Sequence, residues 1–265
     1  MDQELNRLGL IDEDEIELDE AALSLALLDH EGTDLAPYRD LLDDIVARVE
    51  ETGDGDGTAE ARAAALAAVL AGEYGFCGDS DTYDDPDNAD LIRVIDRRRG
   101  LPVSLSILWV ATARRLGWEA SALNMPGHVL VCVGSSSDGV IIDPFEGGTL
   151  VNPARLRALF RAFALPGSEP VIETLPNRAV LVRLLQNQAS RAERAGQGQR
   201  ALELYGRMTT LAPNAVQAWW QRAKLESMDG DTPAARRSLG AILEVSRDPN
   251  VRRQVVDTLD SLKSA

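Results

Sequence analysis

The 265-residue sequence predicts an α+β fold on three observations. Pro102 opens an apolar run, with Leu105, Leu108, Trp109 and Leu116 at helical spacing and Gly117 as its stop. Three short segments rich in β-branched residues follow: Trp118 to Met125, Val129 to Val133 and Val140 to Asp143. The last two are joined by the hairpin loop Gly134-Ser135-Ser136-Ser137-Asp138-Gly139. From residue 175 onward the pattern is wholly helical and recurs at an interval of about 34 residues. The expected layout is a helical N-terminal region, a helix packed on a small antiparallel sheet, and an all-α repeat.

The elements follow in order. Met1 to Asp19 is acidic and has no sustained apolar stripe, which predicts a partly disordered arm over residues 1–19. Leu23, Leu27 and Leu28 share one side of a helix beginning near Ala21, with acids at its start. Asp34 caps a second start at Ala36-Pro37, and Tyr38, Leu41, Leu42, Ile45, Val46 and Val49 continue at helical spacing. Gly53-Asp54-Gly55-Asp56-Gly57 breaks that helix. Its alternating acids lack the full ligand set and closing glutamate of a calcium loop, so it reads as a plain loop. Thr58 caps an alanine-rich helix through Leu70, and Asp79 to Asp87 is polar loop. Asn88 is placed to cap a helix with Leu91, Ile92 and Ile95 inward. That helix ends at Arg97-Arg98-Arg99-Gly100, where Gly100 suits the C-cap and the arginines meet the helix dipole and nearby acids. Pro153 to Phe163 fits a closing helix, and Leu165-Pro166-Gly167-Ser168-Glu169-Pro170 a linker. The expected domains are therefore 20–165 and 175–265.

Charge narrows the partners. A formal net charge of -16 repels nucleic-acid phosphates, which clustered Lys and Arg usually meet, so no nucleic acid is expected. Residues 1–60 hold 20 acidic against 3 basic side chains, while residues 178–265 hold 9 against 14. The C-terminal part is thus open to an acidic partner segment. No run approaches the roughly 18 apolar residues of a membrane span. The start, Met1-Asp2-Gln3-Glu4, lacks the basic-then-apolar order of a signal peptide. A cytoplasmic protein without a membrane partner is expected, with Cys77 and Cys132 as reduced thiols. Two histidines and two cysteines, scattered, make no zinc set, and neither a phosphate-cradling glycine loop nor a dinucleotide fingerprint occurs. No cofactor or metal is expected, and His30 reads as solvent-facing.

In the helical part Ala201 recurs as Ala235, Tyr205 as Leu239 and Leu185 as Trp219, while Pro213-Asn214 and Pro249-Asn250 close two units. These offsets fit tetratricopeptide-like repeats, helix pairs that need stacked neighbours to bury their faces. Val251 to Leu262 is expected as a capping helix.

Four stretches carry a family resemblance: Asn88; Arg97-Arg98-Arg99-Gly100-Leu101-Pro102-Val103-Ser104-Leu105-Ser106 with Ala113-Arg114-Arg115-Leu116-Gly117 behind it; Pro126-Gly127-His128; and Ile142-Asp143-Pro144-Phe145. Together they resemble the SirB-type family, described as regulators of sirC expression, which join a transglutaminase-like domain to tetratricopeptide repeats. The resemblance implies a papain-like core, in which a nucleophile, a base and an orienting carboxylate act together. It implies His128 as base and Asp143 as orienter. If the hairpin pairs Leu130 with Asp143, then His128, Leu130, Asp143 and Phe145 share a face, whereas a slip of one residue separates them.

The nucleophile is missing from its usual place. Transglutaminases carry a cysteine at the N-terminus of the core helix, where the dipole lowers its pKa. The matching position here is Pro102. Ser104, in the first turn, offers a hydroxyl in its stead, unless that hydroxyl bonds local backbone groups. Cys132 lies four residues along from His128, roughly 13 Å on a strand and too far for a dyad. Cys77, in a Gly-Phe-Cys-Gly turn, matches no family nucleophile. The leading expectation is a pseudoenzyme, a transglutaminase-like module that regulates by binding a protein or peptide. The second is a hydrolase or acyltransferase using Ser104, His128 and Asp143. The third is a sensor of small amides or peptides in the degenerate cleft.

Overall fold

Two units make up the chain, Glu13–Leu184 and the pair Met1–Asp12 with Leu185–Ala265. The computed structural model describes residues 2–53, 57–135, 137–163 and 172–262. Leu165 to Pro170, expected as a linker, lies outside them, as do the centre of the Gly53–Gly57 loop and Ser136.

The chain opens as helix α1 (Asp2–Leu10) and not as the frayed arm its acidity predicts. Leu5 and Leu8, one turn apart, are only 8% and 2% exposed. A stripe this short among so many acids is weak in sequence, yet it suffices to hold one helix against a neighbour. Helices α2 (Leu18–Leu27), α3 (Ala36–Thr52) and α4 (Ala59–Leu66) follow. Thr58 caps α4 as expected, its Oγ1 accepting from the Ala61 N–H at 3.3 Å; the N-cap of α3 is Leu35 and not Asp34, whose Oδ1 accepts from the Ala36 N–H at 2.9 Å in the turn just before the helix. Beyond Leu66 the alanine-rich helix widens into a π-helical stretch, Ala67–Glu73.

Strands β1 (Cys77–Gly78) and β2 (Arg99–Gly100) pair in parallel, with α5 (Leu91–Arg97) between them in the chain. Three expectations are corrected here. The N-cap of α5 is Asp90, which accepts from the Arg93 N–H at 3.1 Å, and Asn88 is freed for a buried role. The left-handed C-cap is Arg98, at φ 58°, its guanidinium 4.7 Å over the Phe76 ring. Gly100 sits in β2, where space rather than conformation demands glycine: a Cβ there would come within 2.9 Å of Ser104 Oγ. His30 does not face solvent. Its Nε2 lies 2.8 Å from Asp90 Oδ2 with the side chain 17% exposed, so the residue ties the end of α2 to the start of α5.

Helix α6 (Pro102–Arg115) begins at proline, as predicted, because the missing N–H is one the first turn cannot use. Leu105, Ile107, Leu108 and Trp109 are all 0% exposed. At its end Gly117, φ 73°, turns the chain into the sheet. The strands are β3 (Ala120–Met125), β4 (His128–Val133), β5 (Val140–Asp143) and β6 (Thr149–Leu150); after α7 (Pro153–Phe163) comes β7 (Glu173–Thr174). All pair antiparallel in the order β6-β5-β4-β3-β7. Strands β6 and β7, two residues each, are too short to announce themselves by alternation. Val131 pairs with Ile142, a register that puts Leu130 opposite Asp143. The face bearing Leu123, Met125, Leu130 and Ile141 buries against Leu156, Leu159 and Phe160 of α7. No residue of α6 joins that described cluster. Helix α6 packs on β3 and β4 from the other face, where alternation places Val129, Val131 and Val133, each at most 1% exposed.

In the second unit, the later turns of α8 (Asn177–Arg194) are followed by α9 (Gly198–Leu211), α10 (Val216–Met228), α11 (Thr232–Val245) and α12 (Pro249–Ser261). Consecutive helices from α9 to α12 pack on one another, and α1 packs on α9. Of the residue pairs one interval apart, Ala201 and Ala235 are both 0% exposed and Tyr205 and Leu239 both 1%, whereas Leu185 is 1% exposed and Trp219 only half-buried. Among the described residues no helix is long and apolar enough to cross a membrane.

Candidate functional site

The register of β4 and β5 carries His128 to Asp143. Nε2 of His128 lies 3.0 Å from Asp143 Oδ1, with the two residues 8% and 1% exposed. A carboxylate only accepts, so Nε2 carries the proton and the ring is held as one tautomer. The same Oδ1 accepts from the Phe145 N–H at 3.2 Å, fixing the chain just past β5. Asp143 Oδ2 faces Arg155 of α7, whose Nη2 is 3.5 Å away. The turn that delivers His128 is clamped by Arg183 of α8. Its Nη2 donates to the carbonyls of Met125 and His128 at 3.0 and 2.9 Å, and Nη1 donates to Asn124 Oδ1. Burial pushes the Arg183 guanidinium below its ordinary pKa.

An aromatic wall stands beside the imidazole. The Phe145 ring meets His128 edge-on at 6.1 Å between centroids and Tyr83 edge-on at 5.9 Å. Phe145 also lies directly over Gly78, where any Cβ would fall 2.5 Å from the ring. Glycine at that point of β1 is thus a requirement of the site.

The loop carrying Tyr83 is fastened by buried polar groups. Asp79 accepts from the Thr82 N–H at 2.8 Å, from Thr82 Oγ1 at 2.6 Å and from Arg97 Nη2 at 3.0 Å. Asn88 donates to the Thr82 carbonyl at 2.7 Å and accepts from Arg97 Nη1 at 3.3 Å. Burial by itself raises the pKa of Asp79, but the bonds from Thr82 and Asn88 and the charge of Arg97 outweigh it and leave it lowered. A lowered carboxylate adds stability that is fully present above its unfolded pKa and is lost as pH falls through its folded one. Asp79→Asn is therefore expected to destabilise at pH 7 and progressively less below about pH 4. Urea unfolding at both values checks this, and a difference independent of pH contradicts it.

Ser104 is not brought to His128. It is 0% exposed, and its hydroxyl lies 2.7 Å from the Asn88 carbonyl and 3.1 Å from that of Leu101, while accepting from the Leu101 N–H at 3.0 Å. It is a cap and brace of the first turn of α6, on the helix that packs against the other face of the sheet. Pro102 occupies the first helical position, as expected. Cys132 sits on β4 against Gly139, with burial raising the pKa of its thiol. Cys77 is half-buried in β1, its N–H donating to the Arg98 carbonyl. Tyr83, Arg155 and Arg183 belong to the site without having been read from the sequence. Each reaches it from a separate element, so no spacing could announce them. Among the described residues no group of three or more His, Cys, Asp or Glu is placed to hold a metal ion.

A buried core helix on an antiparallel sheet, with a histidine and an aspartate joined across adjacent strands, defines a transglutaminase-like protein. The chain belongs to the transglutaminase-like superfamily, whose family description matches residues 36–186. A UPF0162 protein of Xylella fastidiosa (strain 9a5c) is 29% identical over 247 residues, spanning 91% of this chain and 88% of the relative. Another, from Pseudomonas aeruginosa, is 30% identical over 224 residues, 83% of this chain and 82% of its own. A crystal structure of menin, 14% identical, covers 96% of this chain and 72% of that one at a TM-score of 0.42, too low to carry an argument.

Proposed function

We propose that the chain is a non-catalytic transglutaminase-like protein of the SirB type, a cytoplasmic regulator that binds a protein or peptide through tetratricopeptide-like repeats in its C-terminal domain. The observation that carries this reading is the state of the nucleophile. His128 and Asp143 are joined as a base and its orienter would be, yet the matching helix position is Pro102 and the Ser104 hydroxyl is spent on the backbone of Leu101 and Asn88. With Asp143 facing Arg155 as well, the polar pair braces β4 and β5 and presents an imidazole beside Phe145 and Tyr83. Recognition uses such a wall; bond cleavage needs a nucleophile, and neither Pro102 nor the backbone-bonded Ser104 offers one to His128.

The test is direct. Folded protein treated with a fluorophosphonate probe is expected to remain unlabelled at Ser104, and Ser104→Ala is expected to lose about 1 kcal/mol of stability through the lost cap bonds. A phosphonate adduct on Ser104, abolished in Ser104→Ala and in His128→Ala, overturns the proposal in favour of a hydrolase or acyltransferase.

A further inference from the structure

Helix α1 comes from the start of the chain but belongs to the unit that the end of the chain builds, Met1–Asp12 being grouped with Leu185–Ala265. There it packs on α9. Among the described residues of α1 only Leu5 and Leu8 are buried. Gly9, directly after them, lies against the backbone of α9: a Cβ there would fall 2.5 Å from the Thr210 carbonyl oxygen, closer than real Cβ atoms come. Glycine weakens a helix, and Gly9 does not take the left-handed conformation that a closing turn asks of it. The contact explains its place, because any side chain at residue 9 lifts α1 off α9. Helix and seat are matched at backbone distance.

The seated helix shows the chemistry that the α9 face accepts. It reads Leu5-Asn6-Arg7-Leu8-Gly9 at the contact, two large apolar residues one turn apart with the smallest residue directly after. Residues 1–12 hold three acids against Arg7, and residues 178–265 hold 9 acids against 14 bases, so an acidic segment sits on a basic unit. Arg7 donates to Glu4 of its own helix at 2.6 and 2.9 Å, both side chains about half exposed, and the one base of α1 is thus spent within it. Nine residues fall short of the roughly 12 to 15 that a helix needs to persist alone in water. Helix α1 is therefore helical because α9 holds it, chiefly through two leucines. We propose that this face of α9 is an exchangeable docking site, closed by α1 and opened by a partner protein whose own acidic helix carries the same pattern. This rests on the binding role proposed above and names the face, the partner's chemistry and the contact that holds the site shut. A tethered α1 competes at high local concentration, so the partner helix that displaces it brings further contacts of its own.

A fluorescent synthetic peptide of residues 1–12, titrated with the full-length chain, tests it. Gly9→Leu in the chain lifts its own α1 and leaves α9 unchanged, so this variant is expected to bind the peptide at least about tenfold more tightly than wild type does. A peptide that itself carries Gly9→Leu is expected to bind the variant chain at least about tenfold more weakly, although leucine makes it more apolar and a better helix former. Equal or tighter binding of the changed peptide shows a loose apolar contact and overturns the site. Selection from a random peptide display library on the Gly9→Leu chain, eluted with the peptide of residues 1–12, is expected to return acidic helices with the apolar pair and a small residue after it. Sequences without that pattern overturn the partner's chemistry. A folded Gly9→Leu chain that does not bind the peptide overturns the docking site and leaves the binding role standing, whereas failure to enrich any sequence on either form overturns both. Where the variant fails to fold, amide exchange in the wild type decides: α1 is expected to exchange faster than α9, and equal protection shows a helix that leaves only when the whole unit unfolds, which overturns the proposal. Wild-type dimers that Gly9→Leu abolishes assign the face to α1 of a second copy and overturn the partner helix.

Discussion

Replacing Asn88 with alanine is expected to cost about 3 kcal/mol and to loosen the loop that carries Tyr83. The side chain is 0% exposed and bonds to the Thr82 carbonyl, reaches toward the Tyr83 carbonyl, accepts from Arg97 and supports the Asp79 carboxylate. Alanine strands the Thr82 carbonyl and one arm of the guanidinium in a place water reaches poorly, so desolvation is paid without return. The backbone carbonyl of Asn88 still accepts from Leu101 and Ser104, which keeps the first turn of α6 in place. Damage should therefore concentrate between Asp79 and Asp87. Amide hydrogen exchange over residues 79–90, beside urea unfolding, checks this: faster exchange there with α6 unchanged is the expected result, and uniform loss across the unit contradicts it.

The sequence carried the fold well where elements are long and their signals local. Pro102 and Gly117 bracket α6 as read and Thr58 caps the helix it precedes, whereas the register that sets Leu130 opposite Asp143 was one of two that the alternating strands left open. Misreadings share a cause. Helix α1 is held by Leu5 and Leu8, a stripe too short to stand out from its acids; Asn88 looked like a cap because that residue type prefers caps, yet Asp90 two places on does that work. Arg98 in the left-handed region, with Gly100 beyond it, reverses the usual order because the Arg98 guanidinium stacks on Phe76 while Ser104 and Val94 crowd Gly100. These are choices made by tertiary neighbours, which no local pattern contains.

At the site, only the pair on adjacent strands was legible: the family resemblance marks His128 and Asp143, and sheet geometry puts them on one face once Leu130 lies opposite Asp143. The position of Ser104 was open in sequence because a first-turn hydroxyl can turn outward or back onto the chain; the carbonyl of Asn88, sixteen residues earlier, decided it. Arg155, Arg183 and Tyr83 come from α7, α8 and a loop, and their convergence is a property of packing.

Asp143→Ala is expected to cost about 3 kcal/mol, and Asp143→Asn about 1 kcal/mol. Asp143 is 1% exposed and serves His128, the Phe145 N–H and Arg155 at once. Alanine leaves the imidazole proton and a backbone N–H without their acceptor, whereas Arg155, 41% exposed, recovers water. Asparagine keeps the shape and one acceptor oxygen, so most of the bracing survives. Stability by itself does not distinguish a structural pair from one that also orients the ring. The tautomer does. Nitrogen-15 spectra of the imidazoles are expected to show His128 protonated at Nε2 in the wild type and in Asp143→Asn, and a tautomer mixture in Asp143→Ala. Only two histidines occur, so the signals are separable. A wild-type ring protonated only at Nδ1 would mean that Nε2 donates nothing to Asp143, and both the orienting and the bracing role of the pair would fall.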